Sequence, residues 1–277
     1  MVRLIVAQTV PVTGFNPDDF DDIITSGEVS HRMLSGDDNL SCDTWECLTN
    51  LMKNGDDKKI FVYGSGSNDE EYCESAGWEL ASVEDASLIL ARGTFTINDG
   101  SGNVGDKNKD AEQYDKVLAD TLSVAAKRRI PMLVSNPDKV RPDEGLPPMP
   151  GAIADQYEAA LGGGHSATDL VKRIGKPFKE VYDLALCTRD EAGSACMVGD
   201  ALETDVTGGN GIGCTTVWVI NDGIHGPDVL EKGKGSYEDG VAKVLGCFNE
   251  AKMEARGGDD DDSTKVMPTF VIPHFRW

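Results

Sequence analysis

Two aspartates and one lysine are the residues whose spacing suggests chemistry. Ala195–Val198 is a short apolar run that reads as a buried parallel strand. It stops at Gly199-Asp200, and a second acid, Asp205, follows five residues after Asp200. Glycines 208, 209, 211 and 213 then break the chain before another strand, Thr215–Ile220. In an open α/β sheet, ligands sit outside the carboxyl ends of the strands. A carboxylate at that position, with another one loop turn away, suits a hard cation holding a phosphate. Lys176 lies in Gly175-Lys176-Pro177, a loop beside a helix start, where Pro177 is well placed for the first turn. A lone lysine there is usually solvated. Beside two acids it becomes a candidate for neutralising charge on a phosphoryl group.

The elements that must position these groups alternate between strand and helix. Residues 1–10 read as a strand, and Thr25-Ser26-Gly27-Glu28 as a helix start with Ser26 as its hydroxyl cap and Glu28 as a first-turn acid. His31 is expected to be an exposed helix residue. A helix over 44–52 precedes a strand in KKIFVYGSGS, an acidic helix around 69–76 and a strand in ASLILARG. Gly64-Ser65-Gly66 reads as a plain strand-to-helix turn, since so short a glycine pattern is common. Ser101–Asp110 is expected to be a polar loop. Ala111–Arg128 is a helix with Tyr114, Val117, Leu118, Leu122 and Val124 at helical spacing, and Lys127 and Arg128 suit the negative end of its dipole. Ile130–Val134 is a strand leading into a proline-rich loop that runs to Pro150, and 151–161 is a helix. Helices are expected at 227–232 and 237–255, an acidic loop at 259–262, and an edge strand in the terminal PTFVIPHFRW.

Composition narrows the functional classes. The 277 residues carry 26 basic and 48 acidic side chains, a net charge of −22. That balance argues against nucleic acid or an anionic membrane surface as partner. A small phosphorylated substrate stays open, because a bound cation inverts the local sign. The seven cysteines are scattered without a CxxC pair, which disfavours zinc and points to reduced core thiols. No apolar run approaches the roughly 20 residues of a membrane span, and the N-terminus makes a poor signal peptide. A cytoplasmic protein is expected. A dinucleotide-binding oxidoreductase is disfavoured: no GxGxxG follows a first strand, and Gly209–Gly213 precedes a strand instead of opening a helix.

GKPFKEVYDLAL followed by MVGDALETDVTGGNGIG resembles the haloacid dehalogenase-like hydrolases, class IIA, a branch of sugar-phosphate, nucleotide and p-nitrophenyl phosphatase-like enzymes. DDIITSGEVSHRML (21–34) and LVSNPDKV (133–140) are similar to the segments that flank that branch's cap. The resemblance implies an α/β fold, a Rossmann-like parallel-sheet core with an inserted α/β cap. It divides the chain into 1–40 (core), 41–147 (cap) and 148–277 (core). It further implies Mg²⁺-dependent hydrolysis of small phosphomonoesters through an aspartyl-phosphate. On this reading Lys176 orients the nucleophile and neutralises phosphate charge, and Asp200 is the metal ligand. Asp205 is the second acid, acting directly or through water. Asn136 and Asp138 lie near the substrate, and Glu203 and Thr204 have open roles. Cap-mediated homodimers occur in the branch, so a homodimer is a candidate assembly.

One departure accompanies the match. The family's nucleophile lies in a DxD motif ending the first core strand, followed by a Ser/Thr phosphate-binding motif. Both should precede TSGE, where this sequence has residues 1–24. VRLIVAQTV has no aspartate at its end. Asp18-Asp19 and Asp21-Asp22 fall in a loop, and Thr9 and Thr13 are weak counterparts of the phosphate motif. A core incomplete at its N-terminus is therefore expected, without the nucleophile. The alternative function is a non-catalytic protein that binds metal and a phosphate ligand.

Overall fold

Lys59–Gly64 (β1) is apolar at successive positions and buried from Ile60 onward, as a strand covered on both faces must be. In the computed structural model it organises the first of two compact units, Met1–Gly175 with Asp183–Ala185. The second comprises Lys176–Tyr182 and Leu186–Trp277. The described residues are 22–37, 45–54, 58–141, 147–164, 167, 169–186, 195–255 and 265–275. The strand expected over 1–10, Asp18, Asp19, Asp21, Thr9, Thr13 and the 259–262 tract lie outside them.

In the first unit β1 pairs in parallel with Glu79–Leu80 (β2) at its start and with Leu88–Ala91 (β3) along its length. Its end pairs antiparallel with Thr96–Asn98 (β4), which pairs with Asn103–Asp106 (β5). Met132–Val134 (β6) and Val171–Arg173 (β7) extend the other side in parallel. Strands β4, β5 and β7 were not anticipated. Their short polar stretches lack an apolar alternation, and it is pairing with buried neighbours that makes them strands.

Helices Ser26–Ser35 (α1), Glu46–Asn54 (α2), Asp69–Ser75 (α3), Ala111–Arg128 (α4) and Pro150–Ala160 (α5) accompany this sheet. The hydroxyl cap of α1 is Thr25, not the expected Ser26, which is the first helical residue: the Thr25 hydroxyl accepts a hydrogen bond from the Glu28 N–H at 3.1 Å. His31 is not an exposed bystander. Its Nε2 meets Ser75 Oγ at 2.9 Å and its ring meets Tyr72 edge-on at 5.1 Å. Helix α4 is capped by Asp110, whose side chain accepts from the Gln113 N–H, and buries Tyr114, Leu118, Leu122 and Ala125. The buried Tyr157 of α5 donates to the Ile130 carbonyl at 2.6 Å, tying α5 to the chain entering β6. Residues 148–175 and α1 belong to the first unit.

The second unit holds a three-stranded parallel sheet in the order β10-β9-β8: Phe270–Ile272 (β10), Thr215–Val219 (β9) and Cys196–Gly199 (β8). Helix Lys179–Leu186 (α6) precedes it in sequence. A π-helical turn, Leu202–Val206, runs into the short helix Thr207–Gly211 (α7), so the glycine-rich stretch read as a break is partly helical. Gly226–Gly233 (α8) and Tyr237–Ala255 (α9) complete the unit. Its core joins Leu202, Val206, Trp218, Ile220, Val229, Val244, Leu245 and Val266. Among the described cysteines all are free, and only Cys73 is buried, whereas Cys196 and Cys247 are exposed. The expectation of core thiols thus fails at most described positions.

Candidate functional site

Asp200 stands at the carboxyl end of β8, where the chain leaves the sheet. Three backbone-directed bonds fix it. Its N–H donates to Asp205 Oδ2 at 3.0 Å, its carbonyl accepts from the buried Trp218 indole at 3.0 Å, and its Oδ2 accepts from the Ile224 N–H at 3.1 Å. Two glycines make room. A Cβ on Gly199 would collide with the Asp205 carboxyl group, and a Cβ on Gly223 would collide with Asp200. Both are close-approach positions, and neither has a positive φ.

Asp205 is the pivot. The wide π-turn carries it back over the strand end, with the Asp205 and Val206 N–H groups both directed to the Ala201 carbonyl. Its side chain is 3 % exposed. Oδ2 accepts from the N–H groups of Asp200 and Ala201, and Oδ1 accepts from Lys176 Nζ at 2.5 Å. A buried carboxylate with these donors is well satisfied. Lys176 is 47 % exposed, so solvent screens the pair and its net worth is about 1 kcal/mol or less. What the pair adds is orientation: the ammonium is held beside the strand end with its outer side in water. The chain reaches that point through a cis Lys176–Pro177 bond, and α6 is tied to the turn where the Tyr182 hydroxyl donates to the Thr204 carbonyl at 3.5 Å. Burial, reinforced by the Asp205 charge, pushes the Tyr182 phenol well above its ordinary pKa.

Two further residues complete the surroundings. His225 Nε2 meets Glu203 Oε2 at 3.0 Å and lies 3.4 Å from the Leu202 N–H, and its ring packs edge-on against Trp218 at 5.6 Å. Burial pushes the Glu203 carboxyl upward, but the His225 hydrogen bond, a backbone hydrogen bond and the attraction of the His225 ring together hold the group below its ordinary value. Sequence reading left the role of Glu203 open and did not single out His225. No local pattern joins them, because 22 residues separate the two.

Of the residues marked from sequence, Lys176, Asp200 and Asp205 come together in the second unit. Asn136 and Asp138 lie in the first unit, on the loop that leaves β6. There the Asn136 side chain accepts from the Asp138 N–H at 2.9 Å, and the Asp138 carbonyl accepts from the Gly151 N–H. Among the described residues no group of three His, Cys, Asp or Glu side chains converges as a metal cage. Mg²⁺ nevertheless keeps several waters and is commonly held by one or two carboxylates plus phosphate oxygens. Asp200 fits that demand, since its Oδ1 accepts no hydrogen bond among the described residues. Asp205 does not offer a free edge, because both its oxygens are engaged. It fits a contact through water.

Residues 173–246, which contain this cluster, match the family model described as HAD-hydrolase-like. The chain is 29% identical over 185 residues to phosphoglycolate phosphatase 2 of Arabidopsis thaliana, a match covering 64% of this chain. The chain spans 59% of the length of that curated relative. Among solved structures it is similar to a p-nitrophenyl phosphatase from Archaeoglobus fulgidus (TM-score 0.57, 20% identity, 98% of this chain and 78% of that one). A 4-nitrophenylphosphatase from Thermotoga maritima aligns equally well (TM-score 0.57, 19% identity, 98% and 77%). The family match over residues 173–246 agrees with the expected resemblance to haloacid dehalogenase-like hydrolases. At such identities the structural likeness establishes fold: α/β, a Rossmann-like parallel-sheet core with a cap domain. No helix among the described residues is long and apolar enough to cross a membrane.

Proposed function

We propose that this chain carries the charge-neutralising and metal-holding part of a site for Mg²⁺-dependent hydrolysis of small phosphomonoesters by the aspartyl-phosphate route. The observation that carries this reading is the lysine held at 2.5 Å by a buried aspartate beside a second, half-open aspartate at a strand end. Asp205 orients Lys176, whose outward N–H groups are placed to bind phosphoryl oxygens and offset their charge. Asp200 would hold the ion with its free oxygen. Mg²⁺, when bound, supplies further neutralisation of the phosphoryl group. Asn136 and Asp138 are assigned to substrate binding on the resemblance alone. The attacking carboxylate is none of these residues, because Asp205 is spent on Lys176 and Asp200 on the metal.

A second reading takes Lys176, Asp200 and Asp205 as a binding set alone, since a lysine and an open carboxylate oxygen can hold a phosphate and a cation without forming a covalent intermediate. On that reading the chain binds a metal and a phosphate ligand without turning it over. In both readings the partner is a small phosphorylated metabolite in the cytoplasm, not nucleic acid or membrane, given the net charge of −22. A homodimer is the assembly proposed.

Phosphate release from p-nitrophenyl phosphate and phosphoglycolate, measured with and without Mg²⁺, separates the two. The hydrolase reading expects Mg²⁺-dependent release that falls by about 100-fold in Asp200→Asn and Lys176→Met. Unchanged turnover in both variants would sink the assignment. Mg²⁺-dependent binding of inorganic phosphate in calorimetry without turnover selects the second reading, and neither binding nor turnover removes both.

A further inference from the structure

The loop carrying Asp200 is held from two sides by consecutive residues of one strap, Asn221–His225. On one side the Ile224 N–H donates to Asp200 Oδ2 at 3.1 Å. On the other, the His225 ring is anchored by Glu203, on the far part of the same loop, at 3.0 Å and by the edge of Trp218 on β9. Trp218 in turn donates to the Asp200 carbonyl. The strap has room to lie this close because Gly223 has no Cβ to strike Asp200. A neutral imidazole nitrogen either donates or accepts, so Nε2 cannot serve Glu203 and the Leu202 N–H together. A carboxylate only accepts, so Nε2–H is assigned as the donor to Glu203 at 3.0 Å, the tautomer that forgoes the longer 3.4 Å hydrogen bond from the Leu202 N–H.

We propose that His225 and Glu203 are positioning residues for Asp200: their bond fixes the strap, the strap fixes the Ile224 N–H, and that N–H sets the direction of the Asp200 carboxylate. The proposal rests on the reading of Asp200 as the cation-holding group. The His225 side chain is 13 % exposed and Glu203 51 %, so the anchor reaches from the protein interior to its surface. Outer partners of this kind commonly change metal affinity by 10–100-fold when removed.

The test is a titration of the whole chain with Mg²⁺ by calorimetry, paired with amide hydrogen exchange at Ile224. His225→Phe keeps the ring against Trp218 and removes the nitrogen, and Glu203→Ala removes the acceptor. Both are expected to bind Mg²⁺ about tenfold more weakly and to exchange the Ile224 amide faster. His225→Gln, whose amide reaches the place of Nε2, is expected to stay near wild type in both readouts. Wild-type affinity and wild-type Ile224 protection in His225→Phe and Glu203→Ala would overturn the proposal. Should His225→Phe not fold, the half-exposed Glu203→Ala decides. Should the wild-type chain bind no Mg²⁺, the metal reading falls by itself, and Ile224 exchange alone then supports or overturns the anchor.

Discussion

At the residue scale, Gly199 is as decisive as the charged groups around it. Its backbone conformation is open to any residue, but the Asp205 carboxyl group occupies the space where a Cβ would be. Gly199→Ala therefore tests packing alone. It is expected to lower stability by about 1–3 kcal/mol through forced displacement of a buried group and to loosen the Lys176 pairing along with it. Urea unfolding with a Mg²⁺ titration checks both, and an alanine variant as stable and as metal-competent as wild type would contradict the geometry. In sequence, Gly199 reads only as the end of a strand. The partner that forbids a side chain there is five residues beyond Asp200 and reaches back through a π-turn, a geometry that no propensity announces.

At the element scale, α5, β7 and the loop after β6 are joined by charge. Arg173 of β7 reaches Asp155 at 2.6 Å and Glu158 at 3.1 Å, and Lys139 reaches Asp155 at 2.7 Å. Burial pushes the Asp155 carboxyl up, but hydrogen bonds from Lys139 and Arg173 outweigh it and hold the group below its ordinary 3.8. A carboxyl whose folded pKa is depressed stabilises the fold above its unfolded value, and that contribution is lost as pH falls through the folded one. Stability from this contact is thus complete above roughly pH 4 and disappears below it. Arg173→Leu removes one of the two opposing partners, so the acid-unfolding midpoint followed by near-ultraviolet circular dichroism is expected to move to higher pH. An unchanged midpoint would show that the network contributes nothing. This is also where sequence reading stopped short. The helix expected over 151–161 is found as Pro150–Ala160, while β7, a short strand with two charged residues in Val171-Lys172-Arg173, was not foreseen. Pairing with β6 and the acids of α5 make it a strand.

At the scale of the whole molecule the excess of acid matters most. A net charge of −22 on 277 residues is self-repelling at low ionic strength. Raising salt from about 0.01 M to about 0.15 M shortens the screening length from roughly 30 Å to 8 Å. The melting temperature is accordingly expected to rise over that range in scanning fluorimetry, and a fall would mean that attractive pairs such as Arg173–Asp155 outweigh the general repulsion.

The sequence by itself determined the alternation of helices and strands, the ends of α4 and the hydroxyl-bearing start of α1, and it put Lys176, Asp200 and Asp205 forward as candidates. Each of these rests on a local period, on a cap, or on a motif a few residues long. Tertiary structure alone decided the rest. It assigned Asp205 to holding Lys176 and left Asp200 the open oxygen, a division that two nearby aspartates cannot reveal in a linear string. It brought His225 to Glu203 across 22 residues, and it carried residues 148–175 into the first unit. The physical reason is common to all three: burial and backbone donors, not residue type, determine which carboxylate is committed and which strand finds a neighbour.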